Sequence, residues 1–226
     1  KETVREHSET QERTTHQREK LPVCACEVFS KVPVTPGKKK RVGITGEIYM
    51  KYSKLGNDDI ESFLLRQGME PYSGGFVNYC LYLVDTERYK AEKYQHNPVM
   101  AKACAFVLHR LCEAQKHLLT VIGETDRFQT DLPFPELKEK VQGILAEGCN
   151  TGDGWLIAAE VIQYVEKGCG SVLILHPFGC LVSHVCERGI LQRLHARFPD
   201  VSIQTIEYDY DQGKTLRESR ILLAIS

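Results

Sequence analysis

Residues 171–184 read SVLILHPFGCLVSH. The first five are a bounded, branched apolar run of strand length, His176 to Gly179 is turn material, and apolar residues at helical spacing follow. A buried strand that hands over directly to a helix is the repeating unit of parallel α/β sheets. The handover also contains Cys180. Cysteines kept for packing sit inside strands and helices as small hydrophobes, whereas this one lies at a strand's carboxyl end, where α/β folds gather their ligands.

The same alternation extends to both sides of this stretch. Upstream, residues 154–167 carry Ile157, Val161, Tyr164 and Val165 on one helical face, with Gly168 as the stop. Downstream, residues 182–197 are helical, Pro199 breaks them, SIQTIEY (202–208) reads as a strand and residues 216–224 as a last helix. Nearer the start, RVGIT (41–45) is a β-branched strand, and Asn57-Asp58-Asp59 opens a helix that ends at Gly68. FVNYCLYLV (76–84) reads as a second strand. Residues 97–121 form one long helix with Val99, Ala103, Phe106, Val107 and Leu111 at helical spacing, and residues 136–145 a shorter one. The expected architecture is α/β: a mostly parallel sheet with helices on both faces, plus a polar N-terminal extension. Glu47, Cys180 and Asp209 follow three of its strands and would share one rim.

Composition bounds the rest. The chain has 226 residues and a formal net charge of −1, with no basic footprint for nucleic acid and no run near the roughly 18 apolar residues of a membrane helix. GKKKR (37–41) reads as a basic linker. Residues 1–20 are almost wholly polar and cannot bury a face, so residues 1–40 form a linker or helical extension and residues 41–226 the α/β domain. Beginning at Lys1 with no signal-peptide pattern, the chain reads as a piece of a longer protein. Nine cysteines without a disulfide-framework spacing suit thiols in a reducing compartment, the cytoplasm. Cys24-Ala-Cys26 lacks the spacing of a zinc ribbon, Cys80, Cys104, Cys112 and Cys169 lie in or beside apolar segments where burial accounts for them, and Cys186 is ambiguous. Cys180 and His184 could hold zinc only with partners elsewhere. No phosphate-cradling P-loop, dinucleotide fingerprint, nucleophile elbow or HExxH motif is present.

Three stretches carry a resemblance: RVGITGEIYMKYSKLGNDDIESFL from residue 41, CNTGDGWLIAAEVIQYVEKG from 149, and SVLILHPFGCLVSHVCERGILQRLHARFPDVSIQTIEYDYDQG from 171. Together they resemble the C-terminal region of the large proteins related to 2-hydroxyacyl-CoA dehydratases and their ATP-dependent activases. The resemblance implies a Rossmann-like fold and a cysteine-ligated 4Fe-4S cluster. It further implies an anaerobic lyase or reductase component that takes a low-potential electron from an ATP-dependent activator to reduce or dehydrate an acyl-CoA thioester. A second dehydratase subunit is a further implied partner; neither nucleic acid nor membrane is. Cys180 matches the family's PFGC cysteine residue for residue, while Val182 and Ser183 depart from its usual PFGCLPNH. Cys149, before the GDGW turn, stands where such proteins often carry another cysteine. The third ligand would be Cys24, Cys26 or a cysteine outside this chain.

The chemistry of Cys180 also holds without the resemblance. Iron of a cluster takes thiolates, and three of them leave one iron open to a substrate oxygen or water. A turn ahead of a helix start exposes the thiol and favours its charged form. Glu47 is the accompanying acid/base or positioning group. Two other readings stand beside this one: a docking module of a multidomain activase-like protein that holds no cluster, and a flavodoxin-like binder of a small ligand.

Overall fold

The computed structural model describes residues 20–34, 37–125, 127–211 and 213–226. The polar lead-in expected over residues 1–20 falls, apart from Lys20, outside them. In chain order the elements are a helical stretch over residues 20–30 (α1), then Arg41–Gly46 (β1), Ile48–Tyr52 (α2), Ile60–Arg66 (α3) and Glu70–Tyr72 (β2). Two long helices follow, Phe76–Lys93 (α4) and Pro98–Gly123 (α5), then Phe134–Lys140 (α6), Gly154–Glu166 (α7) and Ser171–Pro177 (β3). A π-helical turn Ser183–Glu187, a 3-10 turn Arg188–Ile190, Leu191–Arg197 (α8), Ser202–Tyr208 (β4) and Lys214–Ile225 (α9) complete the chain.

The four strands form one sheet in the order β2-β1-β3-β4, and every pairing is parallel. This is an α/β, Rossmann-like arrangement, and the reason is legible along β3. Val172 and Ile174 join the core made with Leu156, Ile157 and Val161 of α7 and Leu194 of α8, while Leu173 and Leu175 join Leu64 of α3 and Ile221 of α9. A strand apolar on both faces requires helices on both faces. The register Thr45↔Ile174 and Ile174↔Thr205 brings the carboxyl ends of β1, β3 and β4 to one rim.

Beneath that rim lies a charged pair. Lys51 Nζ meets Glu160 Oε1 at 2.7 Å with side chains 3% and 5% exposed, and Thr45 donates from Oγ1 to Glu160 Oε2 at 2.5 Å. The pair ties α2 to α7 across the end of β1. Burial acts to lower the Lys51 pKa, but Glu160, Tyr164 and Tyr52 together outweigh it and hold the ammonium well above its ordinary value.

Gly46 closes the seam between β1 and β3. Its φ is +132°, and a Cβ at this position would collide with the Leu175 backbone, to whose carbonyl Glu47 N donates at 2.9 Å.

Several elements differ from the sequence reading. Residues 76–84 are not a strand but the first half of α4: the buried positions Asn78, Leu81, Tyr82, Asp85 and Thr86 repeat at three and four, and Val77, Cys80 and Leu83 lie on its exposed side. Branched and aromatic residues at 76–84 supplied strand propensity, which packing overrode. The short α2 and the edge strand β2 carry no periodic signal and were not foreseen. The helix expected over 136–145 covers Phe134–Lys140, and the one over 182–197 is divided into the π turn, the 3-10 turn and α8, with Gly189 in the break. The long helix is present as α5, capped by Asn97 accepting from Met100 N at 3.1 Å, but its apolar stripe faces outward: Val99, Phe106, Val107 and Leu111 are all exposed.

Candidate functional site

Three chain segments converge at the carboxyl ends of β1 and β3. The first leaves β1 through Gly46 into Glu47. The Glu47 carboxylate accepts from Met50 N at 3.0 Å and caps α2. One of its oxygens is thus committed to structure, and the residue stands half-buried at the rim.

The second segment leaves β3. His176 is fully buried, its Nε2 without a partner, and its ring stands edge-on to His184 at 5.6 Å. Phe178 N bonds to Tyr208 O at 2.9 Å, which pins the turn to the end of β4. Cys180 follows, half-buried, and its Sγ accepts from Ser183 Oγ at 3.1 Å. His184 Nδ1 lies 2.8 Å from Cys180 O. The five-residue π turn beginning at Ser183 carries Cys186 and Glu187 inward, to 6% and 0% exposure. π-helical turns of this kind recur at functional sites.

The third segment, 149–154, precedes α7. Cys149 O accepts from Trp155 N at 2.8 Å, folding the loop over a Gly154 whose φ is +35°. A Cβ on Gly154 would strike Cys149 O and, at 2.6 Å, the Tyr82 hydroxyl. Gly152 lies under Val182, where an added Cβ would sit 3.2 Å from the Val182 side chain. The loop carrying Cys149 and the turn carrying Cys180 therefore touch.

Of the three residues singled out in the sequence, the fold brings the loop of Cys149 and the turn of Cys180 into contact and sets Glu47 on the neighbouring strand end. Burial first, then Cys149, Glu187 and Cys180, push the Cys186 thiol up to about 11. Asp209 stays near the rim, where its carboxylate accepts from Asp211 N at 3.2 Å and closes its own turn. Among the other cysteines, Cys169 is buried as expected and Cys104 and Cys112 are half-buried, but Cys80 is exposed. Cys24 is exposed, and Cys26 is buried beside Val121 and Thr125 at the end of α5.

Two acids here were missed by sequence reading, because burial of a carboxyl leaves no local pattern. Asp153, 7% exposed, accepts from Ile48 N at 3.3 Å; burial and then the neighbouring Glu47 raise its carboxyl to about 7. Glu187 has neither oxygen hydrogen-bonded, since the Ser183 hydroxyl beside it donates to Cys180 Sγ instead. Burial raises Glu187 to about 8; Ser183 and Arg188 oppose the shift while Asp153 and Glu47 add to it.

A dependence of stability on pH follows. The unfolded chain ionises these carboxyls near their ordinary 3.8 and 4.5, whereas the folded chain keeps them protonated to about 7 and about 8. Their stabilising contribution is complete below the unfolded values and is lost as pH rises through the folded ones, at about 1.4 kcal/mol per unit of displacement. The melting temperature of the metal-free chain is expected to fall between about pH 4 and about pH 8. Glu187→Gln is expected to flatten that slope and raise stability at its alkaline end, as calorimetry across the range would register.

As to a metal, no three His, Cys, Asp or Glu side chains among the described residues converge at the spacing of a single ion. Two thiol-bearing segments nevertheless meet at this rim. Cys149 and Cys180 are half-buried, the Ser183 hydroxyl donates to the Cys180 sulfur, and Asn150, beside Cys149, has a buried Nδ2 with no partner. A hollow of about 1110 Å³ lies at the opposite, amino-terminal rim, lined in part by Lys39, Arg41 and Lys167 and by none of the cysteines. No helix among the described residues is long and apolar enough to cross a membrane. The chain matches no family model, no curated protein and no solved structure.

Proposed function

We propose that this chain is the iron-sulfur component of a 2-hydroxyacyl-CoA dehydratase-type system, one that receives a low-potential electron from an ATP-dependent activator and reduces or dehydrates a CoA thioester. The observation that carries this reading is the contact between the loop that bears Cys149 and the turn that bears Cys180, far apart in sequence, at the carboxyl rim of a parallel sheet, where such folds place their ligands. The chemistry a 4Fe-4S cluster supplies when bound is one-electron transfer, with an open iron position for a substrate oxygen.

The chain's own residues have separate tasks in this reading. Cys180 and Cys149 supply thiolates, and the Ser183 hydroxyl donates to the Cys180 sulfur and orients it. Glu47 acts as a positioning group, because its carboxylate is held by the N-terminus of α2. Asp153 and Glu187 hold protons on their carboxyls near neutral pH, so the interior below the cysteines does not accumulate negative charge. The Lys51–Glu160 pair fixes α7, and with it the Cys149 loop, against β1.

Production without oxygen provides the test. The protein is expected to be brown, to contain iron and acid-labile sulfide in comparable amounts, and to give a paramagnetic signal on reduction. Colourless protein that takes up neither element during anaerobic reconstitution would reject the reading. The docking-module alternative is favoured by one specific observation, the exposed apolar stripe of Val99, Phe106, Val107 and Leu111 along α5. It is the reading that colourless protein would leave standing.

A further inference from the structure

We propose that the basic hollow at the amino-terminal rim of the sheet binds a nucleoside diphosphate, with the phosphates against the GKKKR segment and the ring on an apolar floor. The hollow, of about 1110 Å³, is lined by the first residue of every strand, Arg41, Glu70, Ser171 and Ser202. Lys38, Lys39 and Lys40 form part of its wall, together with Lys167 just after α7. The run that reads as a basic linker in the sequence is thus folded onto a cavity. The seven residues of β3, at about 3.3 Å each, separate this rim from the one that carries Glu47 and Cys180. A ligand held here is remote from those residues, and its binding does not depend on the iron-sulfur reading.

Charge selects an anion. The chain carries a formal net charge of −1, yet five cations line this one hollow against two acidic side chains, Glu70 and Asp200. A cleft walled by one sign of charge focuses its field on a ligand of the other sign. Arg41 Nε donates to Glu70 Oε2 at 3.3 Å and its Nη1 to Lys167 O at 3.4 Å, which fixes the guanidinium plane and leaves Nη2 without a partner among the described residues. Lys40 Nζ donates to Ser226 O at 3.4 Å, whereas Lys38 and Lys39 are exposed and form no ion pair among the described residues. Burial pulls the half-buried Lys167 ammonium below its ordinary value, against Asp131 and Cys169, and a bound anion would relieve that penalty. Guanidinium and ammonium groups hold phosphate oxygens through charge-assisted hydrogen bonds, so no glycine-rich phosphate loop is required. Size and floor select more than a phosphate. Val42, Met69, Ala224 and Ile225 line the same hollow, a surface that a bare inorganic ion would leave unused and a planar ring would cover. Small-molecule sites of roughly 300–1,000 Å³ combine such an apolar lining with a few charged groups.

The experiment titrates the whole chain calorimetrically at low salt with ADP, and separately with adenosine and with inorganic phosphate. ADP is expected to bind about tenfold or more tightly than either fragment, to raise the melting temperature, and to weaken as salt is added. Lys38→Glu with Lys39→Glu changes two exposed side chains, so the fold should survive, as circular dichroism would verify, while ADP affinity falls by about tenfold or more. Lys102→Glu with Lys116→Glu makes the same change of charge on the exposed side of α5, away from the hollow, and should keep parental affinity. No binding of ADP to the parent would overturn the proposal. Phosphate binding as tightly as ADP would also overturn it, since the floor would then contribute nothing, and adenosine binding as tightly would remove the role of the cations. Equal losses in the two double variants would mean that ADP answers to overall charge and not to this hollow.

Discussion

Cys180→Ser is expected to abolish cluster binding while leaving the fold in place. Serine keeps the size of the side chain and its reach toward Ser183, but its oxygen is a poor ligand for iron that prefers thiolate. Cys180 belongs to neither hydrophobic core, so the change in unfolding free energy should stay within about 1 kcal/mol. Iron and sulfide per chain and a urea denaturation curve, measured on one preparation, separate the two effects. Undiminished iron would remove Cys180 from the ligand set. Cys104→Ser serves as the comparison: Cys104 is half-buried on α5, so its replacement should change stability by only about 0.5 kcal/mol and leave the iron untouched.

The largest loss of stability is expected from Glu160→Ala. It leaves the Lys51 ammonium, 3% exposed, with no carboxylate partner, and breaking a buried pair from one side typically costs about 3–5 kcal/mol. Chemical denaturation should show the midpoint moving down with little change in slope. Replacing both members, Lys51→Met with Glu160→Leu, should recover most of the loss, because the cost lies in the stranded charge more than in the missing attraction. A single Glu160 variant as stable as the parent would mean that the pair is open to water in solution.

How far sequence reading succeeded depended on the reach of the interaction that decided each element. β1, β3 and α7 are buried almost throughout and β4 is a short branched run bounded by Pro199, all local patterns, so both their type and their parallel arrangement could be read. The first half of α4 was mistaken because its branched and aromatic residues favour a strand locally, while the tertiary core selects Leu81 and Tyr82 at helical spacing. In α5 the helix was legible but not its orientation, since an apolar stripe on a sequence does not say whether it meets a core or solvent. At the site, Cys180 and Glu47 could be found from their place after strands. Cys186 and Glu187 could not, because only the π turn rotates them inward, and Asp153 became notable only once burial had raised its carboxyl.

The seam at Gly46 fixes the span between the two halves of the site. Because no side chain fits between Gly46 and the Leu175 backbone, the strand ends that carry Glu47 and Cys180 are welded at a fixed separation. Random mutagenesis aimed at a new substrate should therefore yield its adapted variants among the side chains borne on the 149–154 loop and the 178–183 turn. Codons for the strand termini should come back unchanged, the strands acting as a fixed ruler against which only the loops are cut to length.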